Sequence, residues 1–124
     1  MVPMENQEVV ILVVDEESLV RKLVEKVLSK HGYAVQTASD GHEAVQLFLR
    51  QPEKVALLLT DLTISRSGVD LIELVKKIKP ELPVLAMSGD ASQWDELPDG
   101  IFLLSKPFSI DALLGAVAHQ LKAA

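Results

Sequence analysis

The sequence predicts an α/β fold: a doubly wound, five-stranded parallel sheet in the order 2-1-3-4-5, with helices on both faces. Short apolar runs alternate five times with helix-like or polar stretches, a pattern typical of successive strand–helix units. Several runs are apolar throughout, as expected of strands buried on both faces. At 124 residues, 48% of them hydrophobic, the chain is large enough for one domain with one core. Right-handed crossovers leave few strand orders, and 2-1-3-4-5 is a common one.

The first strand is predicted over Val9–Val14, and it ends abruptly at the acidic stretch Asp15-Glu16-Glu17. The helix after it carries five apolar residues that we expect to face the core: Leu19, Leu23, Val24, Val27 and Leu28. It ends at Lys30-His31-Gly32, because cations followed by a glycine are typical of a helix C-terminus. Residues 1–8 are predicted to form a flexible N-terminus, and residues 9–122 the folded domain.

Two further strands flank the second helix. Tyr33–Ala38 is the second predicted strand, and Ser39-Asp40-Gly41 turns the chain into a helix that ends before Pro52. The residues of this helix expected in the core are Ala44, Val45, Leu47 and Phe48. Val55–Thr60 is the third strand, and the carboxylate of Asp61 follows it directly.

The second half of the chain continues the alternation. A helix over Gly68–Lys79 places four apolar residues at core spacing: Leu71, Ile72, Val75 and Ile78. Val84–Met87 is the fourth strand, and the next segment is short, acidic and interrupted by Pro98, so the fourth helix is predicted to be short or absent. Ile101–Leu104 is the fifth strand. Ser109 or Asp111 begins the last helix, whose expected core residues are Leu113, Leu114, Val117 and Leu121.

Polar residues follow four of these strands at the point where each strand ends. Asp15 and Glu16 follow the first strand, Asp61 the third, Ser88 the fourth and Lys106 the fifth. In an open parallel sheet, ligands bind at the carboxyl ends of the strands, beside the place where the winding reverses. In the order 2-1-3-4-5 this place lies between strands one and three, so the three carboxylates should lie close together. Each residue also has a structural interpretation: the acids begin a helix or a turn, and the lysine is solvated.

Carboxylates at close quarters repel one another, and either protonation or a hard cation relieves the repulsion. The chain has no cysteine, and no histidine follows any of these strands, so Mg²⁺ suits the site better than a softer metal. Lys106 would add a mobile positive charge and Ser88 a hydroxyl donor. A metal, an ammonium and a hydroxyl around one carboxylate provide what phosphoryl transfer onto Asp61 requires, because stabilising charge on the equatorial oxygens is most of that catalysis.

The sequence resembles the receiver domains of two-component response regulators, the CheY-like superfamily with a flavodoxin-like fold. The matching motifs lie on successive elements between residues 9 and 122: Val13-Val14-Asp15-Glu16, Leu59-Thr60-Asp61, Ser67-Gly68-Val69-Asp70-Leu71-Ile72, Met87-Ser88-Gly89 and Ser105-Lys106-Pro107-Phe108. Each motif is weak alone, but five in order are a strong signal.

The resemblance implies that Asp61 accepts a phosphoryl group from the phosphohistidine of a histidine kinase or histidine phosphotransfer protein. It also implies that Asp15, Glu16 and Asp61 bind Mg²⁺ with the backbone carbonyl of Thr63. Ser88 and Lys106 would contact the phosphoryl group, and a downstream protein partner would recognise the changed surface. The Lys106-Pro107 peptide would be cis.

The sequence departs from the family pattern at several positions. The loop after Asp61 is one residue shorter than usual, with Ser65 in place of a proline, and Glu16 replaces the more frequent second aspartate. Leu103 occupies the position, three before Lys106, where an aromatic switch residue is usual; the aromatic residue is Phe102. The shortened segment between the fourth and fifth strands resembles receivers attached to hybrid sensor kinases.

Three other functions compete with this interpretation. A hydrolase of the haloacid-dehalogenase kind would need an aspartate at the position of Thr63, and a nucleotide- or flavin-binding domain would need a glycine-rich loop after the first strand. The runner-up is an interaction module that kept the receiver fold but works without phosphorylation. Beyond gain and loss of phosphate at Asp61, no enzyme activity is expected.

Composition limits the partners and the location. The net charge of −6 without a Lys/Arg cluster argues against direct nucleic-acid binding. No apolar run approaches the length of a membrane span, and the N-terminus does not resemble a signal peptide. We therefore expect a cytoplasmic protein that does not bind membranes.

Overall fold

The computed structural model describes residues 9–62, 67–89 and 100–123. The described strands and helices alternate along the chain, except that the fourth and fifth strands are consecutive among the described elements. One short turn of 3₁₀ helix lies at Pro52–Lys54. The strands are β1 (Val10–Val14), β2 (Ala34–Ala38), β3 (Val55–Asp61), β4 (Val84–Ser88) and β5 (Ile101–Ser105). The helices are α1 (Ser18–Lys30), α2 (Gly41–Arg50), α3 (Ser67–Ile78) and α4 (Ile110–Ala123). The predicted strands and helices are confirmed, with ends that differ by one or two residues.

The five strands form one parallel sheet in the order β2-β1-β3-β4-β5. This is the predicted doubly wound arrangement. β1 lies between β2 and β3, so the chain first adds β2 on one side of β1 and then adds β3, β4 and β5 on the other side. The carboxyl ends of β1 and β3 are therefore neighbours at the point where the winding reverses.

Each face of the sheet is covered by its own apolar cluster. Successive residues of a strand point to opposite faces, so Leu12 and Val14 join the cluster that contains Phe48 of α2 and Ile72 of α3. Ile11 and Val13 join the other cluster, which α1 and α4 cover through residues such as Val24 and Val117. Burial on both faces explains why β1, β3 and β4 are almost continuously apolar in sequence.

The prediction was wrong for three residues assigned to the core. Leu19 is 83% exposed, Leu23 is 51% exposed and Ile78 is 44% exposed. In α1 the buried stripe is centred on Val20, Val24 and Val27. Leu19 and Leu23 lie about 100° around the helix from it, so they form a separate apolar row that faces solvent.

Two helix starts are fixed by side chains that the sequence had indicated. Asp40 accepts a hydrogen bond from the backbone N–H of Glu43 at 2.8 Å, and Ser109 accepts one from that of Ala112 at 3.0 Å. At the end of α1, Gly32 adopts a φ of +89°, a conformation that favours glycine at this position. Residues 1–8, predicted to be flexible, and the segment predicted to hold a short or absent fourth helix lie outside the described residues. None of the described helices is long and apolar enough to cross a membrane.

Candidate functional site

The sheet brings two buried carboxylates together at its carboxyl edge. Asp61 is the last residue of β3, and Asp15 follows the last residue of β1. β1 and β3 are hydrogen-bonded neighbours, with Val14 opposite Thr60. The side chains of Asp15 and Asp61 are 0% and 1% exposed. An unpaired buried charge is strongly unfavourable, so two carboxylates at this depth need either protonation or a nearby positive charge.

The ammonium of Lys106 provides that charge. Its Nζ donates hydrogen bonds to Asp61 Oδ2 at 2.9 Å and to Asp15 Oδ2 at 3.0 Å. A third carboxylate, that of Glu17, lies 3.5 Å from the same nitrogen. The three N–H groups of one ammonium thus face three carboxylates. The group as a whole carries two more negative than positive charges when every acid is ionised.

The position of Lys106 follows from the pairing of β4 and β5. Its backbone N–H donates to the carbonyl of Ser88 at 2.8 Å, one step beyond the pairing of Ser88 with Ser105. The peptide between Lys106 and Pro107 is cis, as the resemblance implied. The hydrogen bond to Ser88 sets the point where Lys106 leaves the sheet, and its side chain crosses toward β3 and β1.

The turn after β1 is held by Asp15 itself. The backbone N–H of Glu17 donates to Asp15 Oδ1 at 2.9 Å, the two-residue side-chain turn that aspartate commonly forms. The guanidinium of Arg21 donates to the Asp15 carbonyl oxygen at 2.7 Å. These bonds fix the turn so that Glu17, rather than Glu16, joins the carboxylates around Lys106.

Burial and hydrogen bonding shift the pKa values of two members of the site. Desolvation raises the pKa of the Asp15 carboxyl above 3.8, and the bonds from the Glu17 N–H and from Lys106 only partly offset it. Burial lowers the pKa of Lys106, but the hydrogen bonds to Asp61 and Asp15 outweigh it, so the pKa lies above 10.5. Lys106 is therefore charged at neutral pH, while the negative charge of Asp15 is disfavoured by its surroundings.

The three carboxylates fit a hard divalent cation. One oxygen each of Asp15, Glu17 and Asp61 lies within 4.8 Å of the others. Mg²⁺ binds oxygens at about 2.1 Å in octahedral geometry, so neighbouring ligands lie about 3.0 Å apart. A pair of oxygens at the full 4.8 Å separation would have to close by about 1.8 Å to become neighbouring ligands, with the ammonium displaced. A dication would also offset most of the negative charge of the three carboxylates.

The other predicted site residues have different outcomes. Ser88 is the last residue of β4, and it is fully buried at the same edge of the sheet. Glu16 is exposed and is not part of the carboxylate group found among the described residues; its metal-binding role stays a prediction. The carbonyl of Thr63 lies outside the described residues. Ser88 thus joins the strand edge of the site, whereas Glu16 does not.

Two residues of the site were missed by the sequence interpretation. Glu17 was named only as part of the acidic stretch that ends the first strand, and Arg21 was not considered at all. The tendency of aspartate to bind the backbone N–H two residues later could have indicated that Asp15 would hold Glu17 in place. No comparable local signal pointed to Arg21, because its partner is a backbone carbonyl.

A comparison with known families identifies what this arrangement resembles. The family model described as the response regulator receiver domain matches residues 11–118, most of the chain. Among solved structures, a response regulator receiver domain protein from Clostridium thermocellum superposes with a TM-score of 0.84 at 27% identity. That comparison covers 93% of this chain and 95% of the other. Both the sequence pattern and the whole fold therefore match.

Two curated relatives are much longer proteins. The autoinducer 1 sensor kinase/phosphatase LuxN of Vibrio campbellii is 30% identical over 97% of this chain, but the match covers 14% of LuxN. The transcriptional regulatory protein GlrR of Escherichia coli K12 is 32% identical over 90% of this chain and 26% of its own length. The chain thus spans only about a seventh and a quarter of these relatives.

Proposed function

The chain belongs to the response regulator receiver domain family, and we propose that it is a phosphoacceptor switch in which Asp61 receives a phosphoryl group. The observation that supports this most directly is the Asp61 carboxylate, buried at the carboxyl end of β3 and bonded to the Lys106 ammonium at 2.9 Å. A buried carboxylate beside a cation, at the edge where parallel sheets bind ligands, is suited to accept an anionic group.

Each residue of the site has a distinct part in the proposed transfer. An Asp61 carboxylate oxygen attacks phosphorus, and the bond from phosphorus to the donor atom breaks. Asp15 and Asp61 would hold Mg²⁺ together with Glu16, the acid of the turn after β1 that the family resemblance indicates. The metal would supply positive charge for the phosphoryl oxygens. Lys106 would shift from the carboxylates to a phosphoryl oxygen, and the Ser88 hydroxyl would donate to another.

The phosphoryl donor and the downstream partner are proposed from the family to which the chain belongs, because the geometry of the site does not identify them. The donor we propose is the phosphohistidine of a histidine kinase or histidine phosphotransfer protein, in the cytoplasm. A downstream protein would recognise the phosphorylated surface. LuxN is by name a sensor kinase/phosphatase and GlrR a transcriptional regulatory protein, so relatives of this chain belong to both kinds of protein. We propose no turnover chemistry apart from gain and loss of phosphate at Asp61.

The test is phosphorylation by a small donor. The protein is incubated with acetyl phosphate and Mg²⁺, and intact mass is measured against Asp61→Asn and against a metal-free sample. We expect a gain of one phosphoryl group in the wild type and none in either control. If the Asp61→Asn protein gains the same mass, another residue is the acceptor. If the wild type gains no mass, even when a histidine phosphotransfer protein is the donor, the proposal fails.

One observation favours the second candidate, a module that works without phosphorylation. Leu103 stands where the family usually has its aromatic switch residue, and it packs against the core cluster on the α2 and α3 side. Phe102 points to the opposite face, where its ring lies edge-on to His119 at 5.8 Å. Beryllofluoride, a mimic of the phosphoryl group, separates the two functions. Amide chemical shifts of β5 and α4 that stay unchanged on its binding to Asp61 would favour the module.

A further inference from the structure

Glu17 differs from the other two carboxylates that surround Lys106. Its side chain is 63% exposed, whereas those of Asp15 and Asp61 are 0% and 1% exposed. Its Oε1 lies 3.5 Å from the Lys106 nitrogen, on the solvent side of the ion cluster. Glu17 is therefore the most exposed member of this cluster.

The backbone of Glu17 is fixed, and its side chain pairs with Lys106. The Glu17 N–H is bound by Asp15 Oδ1 at 2.9 Å, and its carbonyl accepts the Arg21 N–H at 2.9 Å in the first turn of α1. Within the described part of the chain, the carboxylate itself contacts only Lys106. This exposed ion pair adds modestly to the two buried pairs, with Asp15 and Asp61, that hold the Lys106 ammonium.

The charge of Glu17 opposes two requirements of the proposed transfer. A phosphodonor is anionic, so a carboxylate at the mouth of the site repels it. The Lys106 ammonium must also leave its carboxylates to reach a phosphoryl oxygen, and Glu17 holds it in the resting arrangement. We propose that Glu17 is a positioning residue that retains Lys106 in the unphosphorylated state and slows phosphorylation of Asp61 by small anionic donors. This inference rests on the proposed function.

The reaction concerned is balanced without a further reactant. With acetyl phosphate, a bond forms between phosphorus and an Asp61 carboxylate oxygen while the bond between phosphorus and the acetate oxygen breaks. Acetate leaves with the bonding electron pair, and no proton needs to be transferred. Glu17 takes no part in bond making, so its effect must come through charge and through the position of Lys106.

The experiment compares Glu17→Gln with Glu81→Gln at saturating Mg²⁺. Glu81 is exposed and precedes β4, so it lies at the opposite edge of the sheet from Asp61 and matches the change in net charge. We expect Glu17→Gln to gain the phosphoryl group about three to five times faster than wild type from acetyl phosphate at low salt. Glu81→Gln should remain within about twofold of wild type.

Two readouts separate an electrostatic role from a structural one. The acceleration should shrink toward 1 M NaCl, where the Debye length falls to about 3 Å. It should also be smaller with phosphoramidate, which carries less negative charge than acetyl phosphate at neutral pH. An acceleration that is independent of salt and of donor charge would overturn the inference, because a loosened turn would explain it.

Other outcomes are equally decisive. Equal rates for wild type and Glu17→Gln would overturn the inference and leave the proposed function standing. A slower reaction of Glu17→Gln at saturating Mg²⁺ would also overturn the inference and leave the proposed function standing, because it would indicate that Glu17 assists the reaction as a metal ligand. A wild-type protein that gains no phosphoryl group from either donor would overturn both proposals. Unfolding curves in urea establish that each variant is folded.

Discussion

Replacement of Lys106 by methionine tests the ion cluster most directly. The change keeps an unbranched apolar side chain but removes the charge that Asp15 and Asp61 share. Removing one partner of a buried ion pair typically lowers the free energy of unfolding by about 3–5 kcal/mol, because the other charge is left unpaired. Lys106 is 16% exposed, so water compensates for part of this loss. We expect a decrease of about 2–3 kcal/mol in EDTA, or about 10 °C in Tm for a domain of this size.

Mg²⁺ should reverse much of this destabilisation. In the wild type the metal has to displace the ammonium, whose Nζ lies 2.9 and 3.0 Å from Asp61 and Asp15. In Lys106→Met the carboxylates are already without a counter-ion. We therefore expect Mg²⁺ to bind the variant about tenfold more tightly, which corresponds to about 1.4 kcal/mol. The difference in the free energy of unfolding between the two proteins should narrow by a similar amount at saturating metal.

Urea unfolding followed by circular dichroism gives the free energies, and calorimetric titration gives the Mg²⁺ affinities. Lys26→Met is the control, because Lys26 is exposed on α1; its effect should stay within about 0.5 kcal/mol. The reasoning is refuted if Lys106→Met unfolds like the control in EDTA. It is also refuted if the variant binds Mg²⁺ more weakly than wild type, because the lysine would then assist the metal rather than compete with it.

Two further predictions use the same unfolding assay. The hydroxyl of Thr60 is fully buried and has no hydrogen-bond partner in the described structure; Thr60→Val should therefore raise the free energy of unfolding by about 1 kcal/mol, and a decrease would mean that the hydroxyl is bonded in solution. The pKa of Lys106 is raised by its hydrogen bonds to Asp61 and Asp15 against the effect of burial. The stabilisation that this shift provides is complete below pH 10.5, which is the pKa of an unperturbed lysine. It is lost as the pH rises through the higher pKa that Lys106 has in the folded state. Wild type should thus lose more stability than Lys106→Met above pH 10.5, and parallel curves would contradict the shift.

Most of the fold could be predicted from local patterns. β1, β3 and β4 are buried on both faces and apolar almost throughout, which left little ambiguity about their type. The errors lie in the helices, where one apolar row was not distinguished from the next. Leu19 and Leu23 continue the hydrophobic pattern of α1 but face solvent. Their exposure depends on how α1 rotates against the sheet, which a sequence pattern alone does not determine.

The candidate site could be predicted where it depends on topology, and not where it depends on side-chain geometry. Asp15, Asp61 and Lys106 follow from the strand order, because each lies at the carboxyl end of a strand. The choice between Glu16 and Glu17 depends on a turn of two residues and on the Asp15 carboxylate that closes it at 2.9 Å. The sequence interpretation assigned Glu16 to the metal site because it follows Asp15 directly at the end of the first strand. Both glutamates are exposed in the structure, so burial does not distinguish them either.

The energetics of this edge of the sheet also argue for a chemical role. Thr60 and Asp61, the last two residues of β3, are both buried. The Thr60 hydroxyl has no hydrogen-bond partner among the described residues, and the Asp61 carboxylate lies beside that of Asp15. Burial also disfavours the charge of Asp15, as its raised pKa indicates. Apolar residues of similar size would make the same strand ends more stable. A fold whose buried residues are mostly apolar and which yet places such groups together is typical of a site where function, not stability, determines the residues.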